Sequence, residues 1–109
     1  MTFYFLQTCP ACPEQYDVYT KNGQQVGYVR LRWGELRVDY PKVGCDTVYS
    51  YKFEDNMKGG FDNQNERDKF LTAIVDVLKP LLYADHLECK YELVDDADWL
   101  LAKVYGEDA

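Results

Sequence analysis

The sequence predicts an α+β fold: a four-stranded, mostly antiparallel β-meander packed against one main helix, with a C-terminal strand and short helix. Three observations lead there. Asn22-Gly23 sits between two alternating apolar and polar segments, 16–21 and 24–33. Gly34-Glu35 separates the second segment from a third, 36–40, which Pro41 closes. Phe70, Leu71, Ile74, Val77, Leu78 and Leu81 then recur at helical spacing. A length of 109 residues suits one domain with one core, spanning 1–109.

Each element follows from local chemistry. A two-residue turn at Asn22-Gly23 sets Thr20 opposite Gln25, Val18 opposite Gly27 and Tyr16 opposite Val29. A Gly-X turn at Gly34-Glu35 sets Trp33 opposite Leu36, Leu31 opposite Val38 and Val29 opposite Tyr40. Tyr16, Val18, Val29, Leu31, Trp33, Leu36, Val38 and Tyr40 then share one face, and Asp17, Tyr28, Arg30, Arg32, Arg37 and Asp39 share the other. Slipping either hairpin by one residue would scramble this separation. In that register Arg30 faces Asp39, Asp17 faces Tyr28, and Arg32 faces Arg37 as an unfavourable like-charge pair. A fourth strand spans Thr47 to Glu54. Asn63 with Glu66 caps the helix, Pro80 ends or kinks it near Lys79, a strand spans Glu88 to Val94, and a short helix from Asp96 buries Trp99, Leu100 and Val104.

Composition narrows the function classes. No stretch is long and apolar enough to span a membrane, and Met1 to Gln7 lacks the basic start and apolar length of a secretory signal. A cytoplasmic location is expected. The net charge is −7, and residues 85–109 carry eight acids against Lys90 and Lys103. Such a surface repels nucleic acid and anionic membranes and suits a basic protein surface; taken alone, an acidic stretch is more often a solubilising face. Asp95, Asp96 and Asp98 are its centre.

Four cysteines are the one motif with chemical potential. Cys9-Pro10-Ala11-Cys12 after the strand-like run Thr2 to Leu6 resembles the redox motif of glutaredoxins, which needs its first thiol at a helix N-terminus. The hairpin from Tyr16 leaves about three residues for such a helix, too few for one turn to propagate. Cys9, Cys12 and Cys45, with Cys89 as a fourth, have the residue types for a zinc site, though a single CxxC is a weak pattern. Four ordinary free cysteines are the favoured reading, and a disulfide is disfavoured in a reducing compartment. His86 is the sole histidine and reads as a surface residue. No catalytic triad order, phosphate loop or HExxH motif is present, so the expectation is a protein without enzymatic activity and without a cofactor.

The meander Gly27-Tyr28-Val29-Arg30-Leu31-Arg32-Trp33-Gly34, then Leu36 to Pro41, Phe61-Asp62 and Glu66-Arg67, resembles small proteins of gut bacteria and their phages over roughly residues 12–80. That resemblance implies no active site. Trp33-Gly34 is also similar to the core of the WGR domain, a DNA-binding module, but Glu35 stands where that motif has arginine. Proteins of phage origin include anti-CRISPR inhibitors of host defence, some of which imitate phosphates with carboxylates. The expectation is therefore a small acidic protein that binds another protein, through Tyr28, Arg30, Arg32 and Arg37 on the sheet or through Asp95, Asp96 and Asp98. A zinc-stabilised or redox cysteine module is the alternative.

Overall fold

The computed structural model describes residues 1–9 and 13–94. Strands β1 (Thr2–Cys9), β2 (Glu14–Tyr19), β3 (Gln25–Arg32), β4 (Glu35–Tyr40) and β5 (Asp46–Lys52) precede helix α1 (Gln64–Leu81), and β6 (Lys90–Val94) follows it. All six strands belong to one sheet in the order β5-β4-β3-β2-β1-β6. Neighbours from β1 to β5 are antiparallel, whereas β6 lies parallel to β1. The α+β class stands, but the four-stranded meander becomes a six-stranded mixed sheet. The run Thr2–Leu6, expected as strand-like but outside the meander, joins it beside β2. The last strand, expected from Glu88, begins at Lys90 and completes the edge.

One face of the sheet carries Phe3, Phe5, Tyr16, Val18, Val29, Leu31, Leu36 and Val38, all at most 1% exposed. Against it α1 lays Phe70, Leu71, Ile74, Val75 and Leu78. Each such aliphatic or aromatic side chain contributes about 1.5–3 kcal/mol on leaving water. The stripe exists because these positions recur every three or four residues on the helix while strand side chains alternate. Asn63 caps α1 by accepting from the Glu66 amide at 2.8 Å, and the Glu66 carboxylate reaches back to the Asp62 amide at 2.9 Å. The helix runs through Pro80 to Leu81, two residues beyond the expected end. In the last turn the proline removes a single intrahelical bond and its ring is exposed, so the turn survives.

Both hairpins differ from expectation in their turns. Gly23 alone has positive φ, +84°, so Lys21, Asn22 and Gly23 form a three-residue loop. The Gly23 amide donates to Thr20 O and the Thr20 amide to Gln24 O. Val18 still faces Gly27 and Tyr16 faces Val29, but the extra residue shifts Tyr19 onto Gln25. The second turn is Trp33-Gly34, with φ of +53° and +72°, rather than Gly34-Glu35. Leu31 therefore faces Leu36, Val29 faces Val38 and Arg30 faces Arg37. This register differs from the expected one by two residues, so every strand residue keeps its face, but Trp33 leaves the apolar face for the turn.

Packing selects that turn. The Gly34 amide donates to Lys58 O and Gly34 O accepts from the Phe53 amide, each at 2.8 Å. A Cβ on Gly34 would stand 2.5 Å from Asp55 O and 2.7 Å from Asn56 Cα. Segment 53–58 thus wraps the β3–β4 turn against backbone that only glycine admits. The short helix expected from Asp96, with Trp99, Leu100 and Val104, lies outside the described residues.

Candidate functional site

Tyr28, Arg30 and Arg32 on β3 and Arg37 on β4 alternate with buried Val29, Leu31, Leu36 and Val38, so the sheet brings all four expected contact residues to the face opposite α1. The expected pairing of Arg32 with Arg37 and of Arg30 with Asp39 is corrected by the same two-residue shift: Arg30 faces Arg37, Arg32 faces Glu35 and Tyr28 faces Asp39. Across β4, Ser50 faces Arg37 and Lys52 faces Glu35. Tyr28 is nearly buried and donates to Gln15 Oε1 at 2.7 Å. Asp39, 2% exposed, accepts from Thr47 Oγ1 at 2.9 Å and from the Gly44 amide at 3.1 Å. Arg37 Nε lies 3.3 Å from Asp39 Oδ1 but not in hydrogen-bonding alignment, and it is buried without a hydrogen-bond partner.

At the end of this face the Trp33-Gly34 turn projects an indole that is 63% exposed. Met57, 68% exposed, stands beside it on the segment that braces Gly34. Pro13, Arg32, Trp33, Met57 and Gly59 line a shallow hollow of about 200 Å³. The expectation that Trp33 sits in the core is overturned: the turn turns it outward.

A second cluster binds the layers together. Glu14, in step with Tyr16 and Val18 on the core face, is 4% exposed. Its carboxylate accepts from Arg67 Nε at 2.8 Å and Arg67 Nη2 at 3.2 Å, from the Phe61 amide at 3.1 Å, and from the Tyr16 hydroxyl. Burial pulls the Glu14 carboxyl upward, but the Arg67, Tyr16 and Phe61 hydrogen bonds and the Arg67 charge outweigh it and hold the carboxyl below its ordinary value. Burial and the adjoining carboxylate push the Tyr16 hydroxyl up in turn. Lys58, its side chain 8% exposed, joins Asp62 at 2.6 Å and Glu66 at 3.0 Å beneath the same loop. The cluster clamps β2, segment 59–62 and α1 into one unit. Sequence reasoning missed it, although a carboxylate in phase with core residues was itself a signal.

The cysteines are dispersed. Cys9 ends β1 at the rung of Gln15, while Cys89 directly precedes Lys90, the partner of Thr2 at the other end of β1. The seven intervening steps span about 23 Å. Cys45 precedes β5, four strands away from β1. Cys9, Cys45 and Cys89 are free thiols, and among the described residues no group of His, Cys, Asp and Glu could hold a metal ion. Cys12 lies outside the described residues. Glu14 begins a strand, so no helix follows the CxxC segment as the redox resemblance requires. His86 is exposed. Asp95, Asp96 and Asp98 lie outside the described residues, and no helix of the described chain is long and apolar enough to cross a membrane.

A hollow of about 580 Å³ lies between α1 and β6 and is lined by Asp68, Asp76, Tyr91 and Glu92 among others. Tyr91 donates to Asp68 Oδ1 at 2.6 Å; burial first and that carboxylate second push its hydroxyl up to about 12. No family model, curated protein or solved structure matches the chain.

Proposed function

We propose that this is a non-enzymatic binding protein that acts by contact with another protein, and that its contact surface is the Trp33–Met57 tip with the adjoining arginine face. The observation that carries this reading is Trp33 itself. A bulky residue in the left-handed region costs about 1–3 kcal/mol and persists only where surrounding structure enforces it. Here the enforcement comes from Gly34 and the segment 53–58, and its result is an indole held in water. Tryptophan and arginine are enriched at interface hot spots, the rigid indole because it buries much area at little entropic cost and the guanidinium because it offers a planar fork of donors. A standard interface takes about 800 Å² per partner, so the tip needs the arginine face beside it.

Residues 85–109, with their net charge of −6, add an acidic contact suited to a basic surface, the chemistry expected of an inhibitor of a nucleic-acid-handling defence protein. The test is affinity capture from a bacterial lysate with mass-spectrometric identification, run in parallel with Trp33→Ser and with Asp95/Asp96/Asp98→Asn. Trp33→Ser is expected to reduce recovery of the captured partner at least tenfold with an unchanged melting temperature. Equal recovery by wild type and Trp33→Ser overturns the assignment of the tip.

A further inference from the structure

We infer that Arg30 and Arg37 form a two-arginine clamp for the carboxylates of an acidic peptide segment in a partner protein. The inference names the chemistry of that partner and so rests on the binding reading above, but it uses a different patch from the Trp33 tip.

Four observations support it. Arg30 and Arg37 are direct cross-strand partners, which places their Cβ atoms about 5 Å apart and sets two cations side by side. Such a pair is unfavourable unless an anion lies between the guanidinium groups. Asp39, the carboxylate nearest them, is ion-paired with Arg37 at 3.3 Å but spends its hydrogen bonds on Thr47 and Gly44, so Arg37 Nε stays buried without a hydrogen bond and Asp39 gives Arg30 no salt bridge. No described residue pairs with Arg30 or Arg32 in a salt bridge. Lys52 and Arg32 flank the pair on the same face, where Glu35 and Asp39 are the neighbouring acids, and Ser50 faces Arg37.

The result is a compact basic patch on a chain of net charge −7. Its size decides the occupant. Strands β3 to β5 span about 10 Å, which admits one or two carboxylates held in forked geometry. A nucleic-acid backbone carries a charge every few ångströms and needs a longer basic track than two strand spacings provide. A short run of glutamate or aspartate fits.

The experiment titrates isotopically labelled full-length protein with an acetylated, amidated peptide of alternating glutamate and serine. An oligothymidylate of equal charge and the protein's own Asp95/Asp96/Asp98→Asn variant serve as arms. Shifts at the Nε–Hε signals of Arg30 and Arg37 and at the Ser50 amide are expected on peptide addition. Affinity should fall at least tenfold in Arg30→Gln and weaken as salt rises. Arg30→Gln is the informative variant, since no described residue depends on it, whereas Arg37→Gln also disturbs Asp39. Unchanged binding in Arg30→Gln, or the absence of shifts at millimolar peptide, overturns the clamp. Tighter binding of the oligothymidylate overturns the choice of partner. Binding seen only in the triple Asn variant also overturns it, by showing the clamp filled by the chain's own carboxylates. Trp33→Ser separates the two readings: peptide binding that survives it but is lost in Arg30→Gln supports the clamp even where capture through the tip fails.

Discussion

Glu14 shows how much one side chain can hold. Its carboxylate collects bonds from α1, from the segment before α1 and from its own strand, so removing the charge takes the counter-ion from Arg67 and leaves a single oxygen for donors that now share two. Glu14→Gln is expected to cost about 3 kcal/mol, the range for breaking one side of a buried ion pair, measured by urea denaturation at pH 7. The pH dependence has a definite sign. A carboxyl lowered on folding stabilises above its ordinary value and loses that contribution as pH falls through the folded value. Wild type should therefore lose more stability than Glu14→Gln between pH 6 and pH 3; parallel curves would remove the linkage. The glutamate was legible as an oddity, since it shares phase with Tyr16 and Val18. Its answer, Arg67, is 53 residues away and no local pattern points to it.

The β3–β4 hairpin teaches a related lesson. Alternation correctly assigned Val29, Leu31, Leu36 and Val38 to the core face and the arginines to the other. It could not choose between registers two residues apart, because both give the same faces. The choice is made by segment 53–58, whose backbone closes on Gly34 and so forces the turn to Trp33-Gly34. Gly34→Ala meets both the positive φ and the 2.5 Å approach of Asp55 O. It should cost at least about 2 kcal/mol, more than an ordinary glycine replacement, and be read as a lowered denaturation midpoint. Wild-type stability in that variant would mean that the wrap around the turn is dispensable. The like-charge arginine pair was likewise legible as a feature, and its rung moved with the register.

Across the sheet, protection is expected to be uneven. β5 pairs only with β4 among the described residues, and most of its side chains are exposed. β2 and β3 are flanked on both sides and sit beneath α1. Amide hydrogen exchange should be fastest in β5 and slowest in β2 and β3; uniform rates would contradict the layering. The parallel pairing of β1 with β6 reaches further still. Its two strands are separated along the chain by β2 to β5 and α1, so β1 acquires its outer neighbour last. During synthesis, before Lys90–Val94 has emerged, or after a protease has cut the connection 82–89, Phe3 to Leu6 present an uncapped hydrophobic margin able to recruit other polypeptides. An incomplete product should therefore clump rather than circulate, and the five residues of β6 guard the finished sheet against this.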